Sequence, residues 1–166
     1  MERWRAIDAA PEEEARALLR ICCGASRWVE RMLARRPFRS SEQALAAARE
    51  EWFALTPDDW REAFAHHPRI GDLETLRQKF AATRALSERE QQGVAAAAPE
   101  VLAGLLEGNR AYEARFGYIF IVCATGKSAA GMLALLHARL ANPPEVEIGV
   151  AAEEQAKICA LRLLAA

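Results

Sequence analysis

Phe116-Gly117-Tyr118-Ile119-Phe120-Ile121-Val122-Cys123 is the stretch that decides the fold. Its aromatic and β-branched residues prefer an extended backbone, and Gly117 and Gly126 bound it. A single such segment has no partner strands in the sequence, so it cannot build a sheet. It reads instead as a buried, non-helical crossing between helices, whose backbone N–H and C=O groups need partners, a ligand among the candidates. Everything around it is helical in pattern. Roughly one residue in five is Ala, the best helix former, and Leu, Arg and Glu make up much of the rest.

Helix signals recur outward from that stretch. Pro11 before Glu12-Glu13-Glu14 puts proline at a first turn and acids at the positive end of the helix dipole. Ser40 with Gln43 has the spacing of a capping box ahead of Ala44 to Phe53. Thr56-Pro57-Asp58-Asp59 opens a short helix toward Ala65, and Ser87-Glu88-Arg89-Glu90 leads into Gln91 to Ala98. Helical patterning continues through Pro99 to Arg115, Ser128 to Leu140 and Glu147 to Leu164, with Asn142-Pro143-Pro144 as a break. The expected fold is an all-α, single-domain bundle of about eight helices over residues 1–166, with one short extended segment near 116–124.

The 166 residues carry 22 Lys+Arg against 23 Asp+Glu, a formal charge of −1, which offers no electrostatic footprint for nucleic acid or an anionic membrane. A 52% hydrophobic content supports a packed core without staples. Met1-Glu2-Arg3-Trp4-Arg5 is charged from the outset, which predicts no secretory leader, and the uncharged run near Phe116 to Gly126 is too short to cross a bilayer. The expectation is a soluble, cytoplasmic protein. Cys22, Cys23, Cys123 and Cys159 show neither a CxxC pair nor zinc spacing, and read as reduced thiols.

Four constellations could carry chemistry. In Ala65-His66-His67-Pro68-Arg69-Ile70-Gly71-Asp72, Pro68 drives His67 out of the α region and ends the helix. A histidine so fixed suits general acid–base work, and equally suits the negative end of a helix dipole. Three histidines without an HxxxH pair make a poor metal site. The Ser87…Glu90 spacing is that of a capping box, though Glu90 could also be a carboxylate facing substrate. Asn109 and Tyr112 could hydrogen-bond the extended segment; Cys123 there is a nucleophile or a buried inert thiol. Gly126-Lys127-Ser128 fails as a phosphate loop because the first glycine position is Ile121. Arg162, among Leu161, Leu163 and Leu164, either snorkels to the surface or turns inward as an anion clamp.

Taken in order, Trp28-Val29-Glu30-Arg31-Met32, Arg36-Pro37-Phe38, His67-Pro68-Arg69-Ile70-Gly71-Asp72, Ser87-x-x-Glu90-Gln91, Phe116-Gly117 with Phe120 to Ala124, and Lys157 through Leu163 resemble the OHCU decarboxylase family. Members act on 2-oxo-4-hydroxy-4-carboxy-5-ureidoimidazoline (OHCU) in urate breakdown. The resemblance implies an all-helical, cofactor-free and commonly homodimeric enzyme that yields (S)-allantoin and CO2. It implies that His67 and Glu90 are catalytic. It assigns substrate contacts to Pro68, Ser87, Gln91, Arg162 and the Phe120-Ile121-Val122-Cys123-Ala124 segment, chiefly through backbone. The ending Leu163-Leu164-Ala165-Ala166 lacks a peroxisomal tripeptide, which fits a bacterial cytosolic member. The residues before Pro11 match nothing in the family pattern. Two rival expectations remain: a non-catalytic helical binding module, and an acid–base hydrolase or isomerase of a related ureide.

Overall fold

The computed structural model describes residues 1–68 and 98–166. Ser87, Glu90, Gln91 and the helix expected from Gln91 to Ala98 therefore lie outside the described residues, apart from Ala98 itself. Among the described residues there are eight helices and no strand: α1 (Arg3–Ala9), α2 (Glu12–Cys22), α3 (Ser26–Ala34), α4 (Ser41–Phe53), α5 (Pro57–Ala65), α6 (Pro99–Phe116), α7 (Ala129–Leu140) and α8 (Pro144–Leu164). None of them is long and apolar enough to cross a membrane.

Most boundaries follow from the caps. Thr56 and Asp59 close a full capping box at α5, side chain to backbone in both directions. Ser40 makes half of one: its hydroxyl accepts from Gln43 N at 3.1 Å, while its own N–H goes to Phe38 O at 2.8 Å. Pro11 sits one position earlier than expected, at the N-cap of α2 rather than in its first turn. The last helix starts at Pro144 rather than Glu147, because Pro143 O accepts from both Val146 N and Glu147 N. A proline at the first helical position has no N–H to leave unsatisfied, so the Asn142-Pro143-Pro144 break is the start of the helix.

Contacts divide the chain into two compact units, residues 1–67 with 148–166, and residues 68–147, so the boundary falls inside α8. In the first unit Trp28, Phe64, Ile7, Leu19, Met32 and Leu163 are fully buried. Its two most buried indoles find backbone acceptors, Trp28 Nε1 donating to Ala48 O at 3.1 Å and Trp52 Nε1 to Ala152 O at 2.9 Å. That satisfies the one polar atom of each large apolar side chain. Asp8 receives the loop after α3, accepting from Phe38 N at 2.9 Å and Arg39 N at 3.1 Å.

In the second unit α6 and α7 approach closely at Gly108, where a methyl group would come within 2.5 Å of Leu136 Cδ2. Residues 117–128 between these helices are non-helical, as the sequence predicts, and Gly117 and Gly126 stand at φ 81° and 74°, a region that glycine enters freely. Tyr118, Phe120, Ile121 and Cys123 of this crossing are buried. The partners of its backbone differ from expectation. Asn109 bonds its own helix, at Leu105 O, and Tyr112 OH donates to Glu147 Oε1 at 2.5 Å. Arg139 takes the segment instead: Nη1 donates to Ile121 O at 2.7 Å and Nε to Glu147 Oε1 at 2.7 Å, with the guanidinium 4.5 Å from the Phe120 ring centre. Asn142 Nδ2 completes the cluster on Glu147 Oε2 at 2.8 Å. Burial and the Glu147 bond push the Tyr112 phenol far above its usual range, so it stays a donor.

Candidate active site

The end of α5 is set by local chemistry. His66 is its C-cap, with His66 N bonded to Ala63 O and His67 N to Phe64 O, both at 3.2 Å. Pro68 then forbids another helical residue at His67. The imidazole of His67, partly buried, meets α8: Nε2 lies 2.5 Å from Gln155 Oε1, and Gln155 is only 1% exposed. An amide oxygen only accepts, so the ring donates through Nε2–H.

Arg162 follows Gln155 by seven residues, two turns along the same face of α8. Its Nη1 donates to Ile21 O at 3.2 Å and Cys22 O at 3.3 Å, the last carbonyls of α2. A cation at that helix end satisfies orphan carbonyls and complements the dipole. From α1, Arg3 Nη1 donates to the carbonyl of Arg162. Gly24, just after α2, lies against His66 so tightly that a methyl group there would come within 2.3 Å of the imidazole Cγ.

Arg3, Arg20, Gly24, His66, His67 and Arg162 are among the residues that line one pocket of about 510 Å³ in the first unit. Its described lining holds three arginines, two histidines and no carboxylate, so it favours an anion carrying exchangeable protons. The thiols nearby are poor nucleophiles. Burial pushes Cys22 up to about 11 against the pull of Arg3, pushes Cys23 up to about 12, and lifts Cys159 well above the usual thiol range. Among the described residues no group of His, Cys, Asp and Glu could hold a metal ion.

The expected site residues therefore divide. His67 and Arg162 share the pocket, with Arg162 turned inward, and Pro68 is exposed beside His67. Phe120, Ile121, Val122, Cys123 and Ala124 lie in the non-helical crossing of the second unit, where Cys123 O accepts from Lys127 Nζ at 2.7 Å. Sequence reasoning missed Gln155, Arg3 and Gly24. For Gln155 a signal existed: it interrupts the buried row Ala151, Cys159 and Leu163, spaced by fours along α8.

The family model for OHCU decarboxylase matches residues 8–164. A uric acid degradation bifunctional protein from Arabidopsis thaliana is 39% identical over 147 residues, 87% of this chain, which spans 44% of that protein's length. A 2-oxo-4-hydroxy-4-carboxy-5-ureidoimidazoline decarboxylase from Amia calva is 32% identical over 77% of this chain and 73% of its own. A crystal structure of OHCU decarboxylase in the presence of (S)-allantoin superposes with a TM-score of 0.71 at 34% identity, covering 93% of this chain and 96% of that one. The crystal structure of an (S)-allantoin synthase, at 22% identity and a TM-score of 0.67, shares the fold over 97% of this chain and 52% of its own.

Proposed function

Since the chain belongs to the OHCU decarboxylase family, we propose that it decarboxylates OHCU to (S)-allantoin and CO2 in urate breakdown, with His67 and Glu90 as its acid–base pair. The observation that carries this reading is the shared pocket of His67 and Arg162, basic on its described walls. It joins a proton carrier to an anion clamp, the two functions that decarboxylating an anionic ureide requires.

The chemistry needs no organic electron sink. When the carboxylate leaves as CO2, its bonding pair forms a double bond to the ureido-bearing carbon, and the ring C=N takes the displaced pair and a proton. The enol so formed loses its hydroxyl proton as the ureido-bearing carbon gains one. Delivery of that proton to one face fixes the S configuration. His67 is the donor in this reading, with Glu90 sharing the proton movements at the hydroxyl and ring. Arg162 orients the substrate carboxylate, and Pro68, Ser87, Gln91 and the backbone of 120–124 align its urea-like amides. The working protein is proposed to be a cytoplasmic homodimer.

OHCU made in place from urate with urate oxidase and hydroxyisourate hydrolase, followed by circular dichroism, tests the proposal. Fast growth of the (S)-allantoin signal supports it, and decay at the spontaneous rate to racemic product overturns it. His67→Ala and Glu90→Ala should each lower turnover by about 10²–10⁴-fold while thermal unfolding stays nearly unchanged. Loss of folding in Glu90→Ala would assign that residue to a helix cap instead.

A further inference from the structure

We propose that Gln155 is a positioning residue for His67: it binds Nε2–H, fixes the tautomer of the neutral ring, and routes proton transfer through Nδ1. The proposal rests on the decarboxylase reading only for its kinetic arm. Three observations carry it. The contact is short, 2.5 Å between Nε2 and Gln155 Oε1, and links residues 88 apart in sequence. Gln155 is 1% exposed, flanked along its face of α8 by buried Ala151 and Cys159. Its amide Nε2 is buried with no hydrogen-bond partner among the described residues.

A buried amide with half its hydrogen-bonding capacity unmet is a poor choice for stability, since leucine would fill similar space without a desolvation cost. What glutamine supplies is an acceptor at one ring nitrogen. A neutral imidazole with Nε2 protonated has its lone pair on Nδ1, and the imidazolium keeps both bonds. The oxygen therefore holds the ring through a complete protonation cycle without turning it. The amide is also uncharged. A carboxylate in its place would stabilise the imidazolium and raise the histidine's pKa by about 1 unit or more.

Among the described residues, the charged and titratable groups that line the pocket with the ring are His66 beside it, Arg3 from α1, Arg20 from α2 and Arg162 from α8. On α5, Glu62 is engaged by Ser26, with its Oε1 2.6 Å from the hydroxyl. Glu154, next to Gln155, is paired with Lys157. None of these groups changes in the variants below.

The test uses Gln155→Leu and the near-isosteric Gln155→Glu in the full chain, with uniformly ¹⁵N-histidine-labelled protein and His67→Asn to assign the ring signals. In the unsubstituted protein His67 should show the Nε2–H tautomer when neutral. Gln155→Leu should release it to a mixture, and Gln155→Glu should raise its pKa by about 1 unit or more. With OHCU, Gln155→Leu should lower kcat about 10- to 100-fold with KM within about twofold, the loss expected when a hydrogen bond to a charged group disappears. Gln155→Glu should move the His67 limb of the pH profile upward by its NMR shift. In a His67→Ala background neither substitution should matter further. A neutral Nδ1–H tautomer, or a tautomer and pKa indifferent to both substitutions, overturns the proposal. If both variants fail to fold, the tautomer in the unsubstituted protein decides alone. Absence of any turnover by that protein would sink the decarboxylase reading and leave the spectroscopic outcome standing on its own.

Discussion

Arg162 is engaged on one side only. Nη1 holds the carbonyls of Ile21 and Cys22, while no bond to a described residue uses Nε or Nη2, and the side chain lines the pocket. Arg162→Ala should therefore lower kcat/KM by about 10- to 100-fold, mostly through KM, as steady-state kinetics would show. Arg162→Lys should recover only part of that, since one ammonium cannot reproduce a planar fork. It was the resemblance to a family that singled out His67 and Arg162 in the sequence; residue chemistry alone left both open. Gln155 was marked only by its place in the row of Ala151, Cys159 and Leu163, a weak signal because glutamine in a long helix is ordinarily a surface residue. Gly24 is a further case. Its missing side chain makes room for the His66 ring, a tertiary reason that no local pattern records. Gly24→Ala should destabilise by about 1–3 kcal/mol in a denaturant melt and reduce turnover by displacing the 66–67 corner. His66→Ala should stay close to wild type in turnover and partly relieve the Gly24→Ala defect.

The helices were read most easily where a side chain writes the boundary. Thr56-Pro57-Asp58-Asp59 encodes its own start, and α5 begins where that tetrapeptide says. Thr56→Ala should cost about 1 kcal/mol in a thermal or urea melt. It should also alter the acid limb of stability. Burial raises the Asp59 carboxyl, but the Thr56 backbone and hydroxyl bonds outweigh that and hold it below its usual value. A carboxyl depressed in the folded state stabilises above its unfolded pKa, and that contribution fades as pH falls through the folded one. The Thr56→Ala difference should therefore shrink in acid. The start of α8 was read three residues late because a proline pair looks like an interruption, whereas Pro144 at the first helical position is a beginning. The crossing at 117–128 was readable as non-helical from its residues, but not its partner Arg139, which lies beyond the crossing on α7.

Composition and periodicity were enough for the all-α class, because no second β-prone segment competes with the one at 116–123. The division into two compact units was not legible, since it leaves no linker in the sequence. Among the described residues of the second unit, Arg139 and Glu147 form a buried ion pair, 8% and 0% exposed at their side chains. Glu147→Gln should destabilise by about 3–5 kcal/mol, because it leaves a buried guanidinium without its counter-charge. Replacing both residues, as Arg139→Met with Glu147→Leu, should cost less than that single change in a urea titration. The first unit has a different property, since its two parts, 1–67 and 148–166, are separated by the whole of the second. His67 is made before the second unit, whereas Gln155, which binds its ring, and Arg162, which lines the pocket with it, follow that unit. During synthesis the nascent chain thus carries His67 before its Gln155 bond exists and a pocket without its Arg162 wall. A ribosome stalled before residue 155 holds a chain in which neither contact has formed, however well its earlier helices have folded, and both arrive only as the α8 sequence emerges.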